Sequence, residues 1–354
     1  MSPVTGCRWV LVVVVLALAG ALMVPGGVSA VPTRTRCRAT AFVTNTVSGT
    51  VSTIDVKTRT KNPTDIPVGP LPAGMAVTPD GKTLFVSLRN SATVSTIDVK
   101  TRTKNAADIA VGSIPAGMAV TPDGKTLFVV NGLSGTVSTF DVKTGTKDPS
   151  DISVGSGAVG LAFTPDGKTA FVSSGGMGTG NGRVSTIDVK ARRRDPTDIP
   201  VGPFPFGIAV RPNGKTLFIA NFDSNTVSTI DVKTRTKHPT DITVGSRPGS
   251  VAFTPDGKTA FVSNLASGTV STIDVKTRTK NPTDIPVGAG PGGVAVTPDG
   301  KTAFVANFGG AAGSSNFGSG NSVSTIDVKT RTKHLTDITV GDGPFGVVFT
   351  PCRR

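Results

Sequence analysis

The chain has 354 residues, a formal net charge of +14, and 43 Gly and 26 Pro. Helices favour Glu, Gln and Ala, whereas turns favour Gly, Pro and Asp, and this sequence contains no Glu and no Gln. The composition therefore argues against a helical bundle and favours many short strands joined by turns. A hydrophobic share of 37% is enough to form a buried core, which argues against wholesale disorder.

Residues 1–30 have the pattern of a signal peptide. Arg8 precedes an apolar run at 9–24, and small residues then lead to Ala30. We expect cleavage after Ala30, a short lead at 31–38, and a secreted, periplasmic or cell-surface protein with no remaining membrane span. A retained membrane anchor is the alternative, although the apolar run is shorter than the roughly 20 residues that a span needs.

Residues 39–352 are predicted to form one domain, because they contain copies of a single unit. The unit carries the motif Ser-Thr-Ile/Phe-Asp-Val-Lys, whose Asp recurs at Asp55, Asp98, Asp141, Asp188, Asp231, Asp274 and Asp327. Thr-Pro-Asp-Gly-Lys-Thr, or a close variant, separates the copies and has the residues of a tight hairpin turn.

Each unit predicts four short strands, rich in Val, Ile, Phe and Thr. In the second unit we place them at 74–78, 84–87, 93–99 and around 108–111. Seven repeats of four strands predict an all-β, seven-bladed β-propeller with four-stranded antiparallel blades.

Three segments make a family resemblance specific: AFVTN at Ala41–Asn45, LFIAN at Leu217–Asn221 and AFVAN at Ala303–Asn307. They resemble the YVTN family of β-propeller repeats, which occurs in bacterial and archaeal surface and exported proteins. Every copy here has Phe where the family has Tyr, and two copies lack the Asn, with Leu88 and Ser174 instead. The resemblance implies a propeller at the cell surface or beyond, and single-stranded nucleic-acid binding is among the functions of the family.

The two ends of the repeat array predict how the ring closes. Cys37 lies five residues before Phe42, and Cys352 follows Thr-Pro, so both cysteines occupy the repeat column of Asp80. Residues 346–349 then supply the innermost strand of a blade whose other strands come from the N-terminus, which removes an open sheet edge. We predict a Cys37–Cys352 disulfide at this junction; two unpaired thiols are the alternative.

Alternate loops of a propeller share a face, so the Pro-Asp-Gly hairpins and the loops after the third strands lie together. These loops are rich in Lys and Arg, which suggests an anionic partner: a glycan, a cell-wall polymer or nucleic acid. The candidate residues are Lys57, Arg59, Lys61, Arg192, Arg193 and Arg194. The alternative is a solvated face whose Lys pair with Asp of their own turns. The loops lack aromatic residues for base stacking, which weakens the nucleic-acid version.

The opposite face carries two insertions, at 175–182 and 309–321, and the starts of the inner strands. Residues that break the near-identity of the repeats there are candidates for a ligand site at the channel mouth. They are Phe204, Phe206, Arg247, Asp342 and Phe345. Packing between blades and random drift are the alternative explanation.

The sequence assigns no catalytic residue, metal ligand or cofactor. His238 and His334 fill a repeat column that holds Asn in other copies, so neither suggests a converging site. We therefore expect a monomeric, non-catalytic binding or cell-surface scaffold for a protein or an anionic polymer. The alternatives are a lactonase or other hydrolase acting through channel-lining carboxylates, His or metal, and a single-stranded nucleic-acid binder. The inner strands that line the channel carry Gly, Ala, Val and Met, which favours the non-catalytic scaffold over these alternatives.

Overall fold

The computed structural model describes residues 39–175, 182–310 and 318–352. All regular elements within these residues are strands, arranged in seven antiparallel sheets. The predicted seven-bladed propeller is therefore confirmed. In the part of the chain so described, no helix has the length and hydrophobicity to cross a membrane. The predicted signal peptide, the lead at 31–38, Cys37 and the middles of both insertions lie outside the described residues.

We number the blades 1 to 7 in chain order. The inner strands, which line the channel, are Pro72–Val77, Pro115–Val120, Ala158–Phe163, Pro205–Val210, Pro248–Phe253, Pro291–Val296 and, for blade 1, Pro344–Phe349. The second strands are Thr40–Asn45, Thr83–Leu88, Thr126–Asn131, Thr169–Ser174, Thr216–Asn221, Thr259–Asn264 and Thr302–Asn307. The third strands are Thr50–Asp55, Thr93–Asp98, Thr136–Asp141, Gly182–Asp188, Thr226–Asp231, Thr269–Asp274 and Ser322–Asp327.

The outer strand differs from the sequence prediction, because it is divided into two short segments that pair with the same third strand. The first segments are Thr60–Lys61, Thr103–Lys104, Arg193–Arg194, Thr236–Lys237, Thr279–Lys280 and Thr332–Lys333, and blade 3 has a single bridge at Lys147 instead. The second segments are Ile66–Pro67, Ile109–Ala110, Ile152–Ser153, Ile199–Val201, Ile242–Thr243, Ile285–Pro286 and Ile338–Thr339. Pro or another poor strand former interrupts the pairing between the two.

The Phe that replaces the Tyr of the family motif lies in the core between blades. Phe128, Phe218 and Phe304 are fully buried. Each packs edge-on against a Phe of the next inner strand, as in the pair Phe128–Phe163, whose centroids are 5.1 Å apart. Such edge-to-face pairs add to the burial of the rings. A hydroxyl at this buried position would need a partner, so its absence is compatible with the fold.

Neighbouring inner strands approach so closely that six of the seven blades have glycine where they meet. A Cβ on Gly117 would lie 2.5 Å from the carbonyl oxygen of Val159 in the next blade, and one on Gly74 would lie 2.1 Å from that of Ala116. Ser87 Oγ also donates a hydrogen bond to this Ala116 oxygen over 3.1 Å. The glycine column therefore sets the spacing between blades around the channel.

The ring closes through blade 1, as the register of the sequence predicted. The last strand pairs with the first described one, with Ala41 opposite Phe349 and Val43 opposite Val347. The Thr350 amide donates to Thr40 O over 2.9 Å, and the Thr40 amide donates to Thr350 Oγ1 over the same distance. Cys352 is disulfide-bonded, but its predicted partner Cys37 is not described, so the pairing stays a prediction.

Backbone hydrogen bonds define two faces of the ring. The Val99 amide donates to Lys82 O, which joins a loop after a third strand to a Pro-Asp-Gly hairpin. The face formed by these two sets of loops is called the basic face. The Val47 amide donates to Asp342 O, which joins a loop between second and third strands to the start of an inner strand. That side is called the mouth face.

Candidate functional site

The channel mouth, where the central channel opens on the mouth face, has an apolar lining. The inner strands contribute Gly, Ala and aliphatic residues, and the cavity encloses about 100 Å³. Among the described residues that line it, Arg89 is the one ionisable side chain. A small number of polar groups in an apolar cleft is the usual composition of a small-molecule site.

The residue before each inner strand has a left-handed backbone in all seven blades. These residues are Leu71, Ile114, Gly157, Phe204, Arg247, Gly290 and Gly343. Glycine adopts this conformation without strain, yet four blades carry a side chain there, and Ile114, with φ of 52°, is β-branched. Strained residues of this kind cluster at functional sites. The rim of the channel is therefore one of the places in the ring where side chains occupy left-handed positions.

Five phenylalanines form an aromatic cluster that bridges the channel mouth. They are Phe204, Phe206, Phe222, Phe308 and Phe345. Phe206 of blade 5 and Phe345 of blade 1 have centroids 6.4 Å apart. These blades are three places apart in the ring, the widest separation that seven blades allow, so the two rings meet across the channel. The cluster lines the opening with aromatic rings, most of which meet edge to face.

Two charged residues predicted from the sequence also lie at the mouth. The Arg247 guanidinium lies over the Phe222 ring, 5.6 Å from its centroid, a cation–π contact. The Asp342 amide donates to Ser48 Oγ over 2.7 Å, which fixes the backbone while the side chain remains exposed. The structure thus brings the predicted residues Phe204, Phe206 and Phe345 into one cluster with Arg247 at its edge. Asp342 lies beside Ser48 on the same face, and no contact joins it to the cluster among the described residues.

Arg89 follows the second strand of blade 2 and enters the same cavity. Burial by the protein around the cavity lowers the pKa of the guanidinium from its ordinary value, although part of the side chain remains exposed to solvent. Both observations fit a side chain in a concave opening. Arginine stays protonated in proteins, and Arg89 makes no ion pair with any residue that the structure describes.

Sequence reasoning missed Arg89, Phe222 and Phe308, although one repeat column contains all three. The column follows the motif Asn and holds Thr46, Arg89, Gly132, Gly175, Phe222, Leu265 and Phe308. The residues of this column differ from blade to blade, whereas the preceding columns are nearly identical in most blades. That contrast could have identified the site from the sequence.

On the basic face, ion pairs neutralise part of the predicted surface. Lys61 Nζ lies 2.7 Å from Asp65 Oδ1, and Arg194 Nη2 lies 2.6 Å from Asp198 Oδ2. The pairing of Lys61 recurs in its column at Lys104, Lys147, Lys237, Lys280 and Lys333. The alternative of Lys paired within its own loop therefore applies to this column.

The remaining candidates of the basic face divide into two groups. Arg192 pairs with Asp148 of the preceding blade. Lys57, Arg59 and Arg193 form no ion pair within the described part of the chain and are exposed. No group of three or more His, Cys, Asp or Glu side chains among the described residues could hold a metal ion.

A seven-bladed ring with a small, apolar channel mouth is the architecture of a ligand-binding or enzymatic propeller. The family model described as "Lactonase, 7-bladed beta-propeller" matches residues 38–159 and 147–308, which is well over half of the chain. The chain belongs to this family. Comparison with curated proteins finds no match.

Three solved structures share the fold. A putative 6-phosphogluconolactonase from Bacteroides fragilis is 20% identical, with a TM-score of 0.71 and coverage of 90% of this chain and 99% of that one. Kuenenia stuttgartiensis hydrazine synthase is 22% identical, with a TM-score of 0.69 and coverage of 75% and 88%. A functionally unknown protein from Desulfotomaculum acetoxidans is 16% identical, with a TM-score of 0.73 and coverage of 89% and 100%.

Membership in a lactonase family overturns the expectation of a non-catalytic binding scaffold and favours the hydrolase alternative. The expectation was wrong because it judged the channel by its inner strands alone, which carry Gly, Ala, Val and Met. The charged side chain of the cavity comes from the loop after a second strand, at Arg89.

Proposed function

We propose that the chain is an exported propeller hydrolase of YVTN type that opens a lactone with an apolar side chain at the channel mouth. The observation that carries this proposal is Arg89, a guanidinium without an ion pair among the described residues, in an otherwise apolar cavity. A fixed positive charge beside an apolar wall suits a substrate with a reactive carbonyl group and a hydrophobic remainder.

The chemistry requires a group that stabilises negative charge and a group that accepts a proton. Water adds to the lactone carbonyl carbon, and the oxygen that becomes negative is stabilised by the Arg89 guanidinium. For the proton of the attacking water we propose the carboxylate of Asp342, which is exposed on the mouth face two residues before the inner strand of blade 1. The ring C–O bond then breaks, the proton passes to the leaving alkoxide, and the product is a hydroxy acid.

The lining also defines the substrate class. Phe206 and Phe345 form an aromatic wall across the opening, and Arg247 is already stacked on Phe222. Apolar walls favour an alkyl or aryl substituent through burial of its surface. A phosphorylated sugar lactone would bring a strongly hydrated anion to this wall, so we propose an uncharged, apolar lactone as the substrate.

The test is hydrolysis by the protein without residues 1–30 of γ- and δ-lactones that differ in side-chain length, with gluconolactone for comparison. We expect turnover to rise with side-chain length. Arg89→Leu should lower kcat/KM by about a hundredfold or more, because it removes charge stabilisation from the transition state.

Arg59→Leu, which removes one positive charge from the basic face, is the matched control and should leave turnover unchanged. Absence of hydrolysis for every lactone, or equal rates for Arg89→Leu and the wild type, would refute the proposed function. The proposal of export rests on the pattern of residues 1–30. It is tested by measuring the mass of the protein recovered outside the cytoplasm, which should correspond to the chain without residues 1–30.

A further inference from the structure

The loops after the third strands contain a six-residue turn with an unusual residue in its left-handed position. In blade 1 the turn runs from Asp55 to Thr60, and the Arg59 amide donates to Asp55 O over 2.8 Å. The residue at this position has positive φ in all seven blades. It is Arg in six of them and Gly in the other: Arg59, Arg102, Gly145, Arg192, Arg235, Arg278 and Arg331.

The mouth face contains the same turn, which provides an internal comparison. There it joins second to third strands, and the Gly49 amide donates to Asn45 O over 2.9 Å, as the Arg59 amide does to Asp55 O. The residues with positive φ in this set are Gly49, Ala92, Gly135, Asn225 and Gly268. Five described turns on the mouth face thus use small residues or Asn, whereas the basic face uses Arg.

Backbone preference does not explain arginine in this position. A left-handed conformation brings the Cβ atom close to the following carbonyl oxygen, and only Gly, or less often Asn and Asp, adopts it routinely. Blade 3 folds with Gly145 at the position, and a Cβ there would meet no atom within 4 Å. The fold therefore accepts glycine, and six blades keep a long cationic side chain against the local preference.

Packing explains only part of the pattern. Arg192 pairs with Asp148, and Arg235 pairs with Asp195, each across a blade boundary. Among the residues that the structure describes, the other four arginines form no ion pair: Arg59, Arg102, Arg278 and Arg331. Threonines flank these arginines in the turns, as Thr58 and Thr60 flank Arg59, and both hydroxyl-bearing side chains are exposed.

We propose that the arginine ring of the basic face binds a linear polyanion without bases, specifically an acidic polysaccharide. The fork of donors in a guanidinium matches a carboxylate, and the Thr hydroxyls, which donate within the turn, can accept hydrogen bonds from sugar hydroxyls. Every Phe of the described chain lies in the core or at the mouth face, so the ring offers no aromatic platform on which bases could stack. This surface is separate from the channel mouth, and the proposal does not depend on the proposed hydrolysis.

The test uses the protein without residues 1–30 and alginate, a polyuronate, as the probe. A variant with Arg59, Arg102, Arg278 and Arg331 all changed to Gly should bind alginate at least tenfold more weakly. It should also show a shallower dependence of log K on log salt concentration. Its melting temperature should be equal to or above that of the wild type, because glycine relieves the left-handed strain.

Two further variants make the result decisive. Gly145→Arg adds a seventh arginine and should tighten alginate binding. Changing Lys82, Lys125, Lys215 and Lys258 to Gln removes the same charge from the hairpins of the same face and should weaken binding much less than the arginine variant. Equal losses in the two fourfold variants would mean diffuse attraction and would overturn the proposal. A lower melting temperature for the arginine variant, or tighter binding of poly(dT) than of alginate, would also overturn it.

Discussion

At the residue scale, the repeated Asp at the end of the third strand is the best-defined titratable group. Asp274 Oδ1 accepts hydrogen bonds from the Thr277 amide over 2.8 Å and from Thr277 Oγ1 over 2.9 Å. The amide hydrogen bond, followed by the hydroxyl one, holds the pKa of Asp274 below its ordinary value, although slight desolvation opposes the shift. The same shift occurs at Asp98, Asp141, Asp231 and Asp327.

This recurrence predicts sensitivity to acid. A carboxyl group whose pKa is lower in the folded state binds fewer protons there than in the unfolded chain, where its pKa is about 3.9. Its contribution to stability is complete above that value and is lost as the pH falls through it towards the folded pKa. We expect the urea midpoint to decrease steadily below about pH 4. Asp274→Asn should make this decrease smaller, and a midpoint that stays constant down to about pH 3 would contradict the assignment.

Also at the residue scale, comparing the repeats column by column identified only part of the candidate site. Phe204, Phe206 and Phe345 were identified because they break the repeat. Arg89 and Phe222 break it as clearly but lie on a different loop. A repeat alignment gives each residue a column, but it does not show that two loops of one blade converge on the channel.

At the element scale, the inner strand joins each blade to the next. Gly117 lies where a Cβ would meet Val159 O at 2.5 Å. Blade 6 has Ser250 in this column, and its strand pairing resumes at Ser250 with Ser263, earlier than the pairing of Met118 with Val129 in blade 3. The local register therefore adapts to a side chain in one blade and not in the others.

Gly117→Ala should accordingly lower the free energy of unfolding by about 2–3 kcal/mol, because the added methyl overpacks a backbone contact. Ser250→Gly, the matched change in the opposite direction, should have a much smaller effect. Denaturant unfolding of both variants measures the difference. A Gly117→Ala protein as stable as the wild type would mean that the blades can move apart without loss.

The strands themselves were the most predictable elements. Each repeat has β-formers in two long runs and a Pro-Asp-Gly turn, so the second and third strands were located to within one or two residues. The division of the outer strand was not predicted, because its cause is a short polar loop. Lys61, the last residue of the first segment, forms an ion pair with Asp65 across that loop.

At the scale of the whole molecule, both ends of the described chain meet in blade 1. The sequence predicted this closure from the shared column of Cys37 and Cys352. Hydrogen bonds between Thr40 and Thr350 hold the junction in the structure. The position of a residue within its repeat fixes its place within a blade, so the sequence could predict which segments complete blade 1. It does not fix which side chains of distant blades meet, so contacts across the channel could not be predicted.

The predicted disulfide would constrain almost the entire folded chain. By the chain-entropy model a loop of this length stabilises by about 5 kcal/mol, an upper figure. We expect Cys352→Ser to melt at a lower temperature than the oxidised wild type and at the same temperature as the reduced one. Cys37→Ser should behave identically, and a difference between these two variants would contradict the pairing.

Closure through one composite blade also restricts how such a gene can change. Nearly identical tandem units invite slippage and unequal recombination, which add or remove whole copies. A polypeptide that gained a copy would still have to bring Thr40 beside Thr350, and every angle between neighbouring sheets would have to readjust around the glycine contacts. We therefore expect a protein with one repeat more or fewer to close its ring less well and to be less stable than the seven-bladed one.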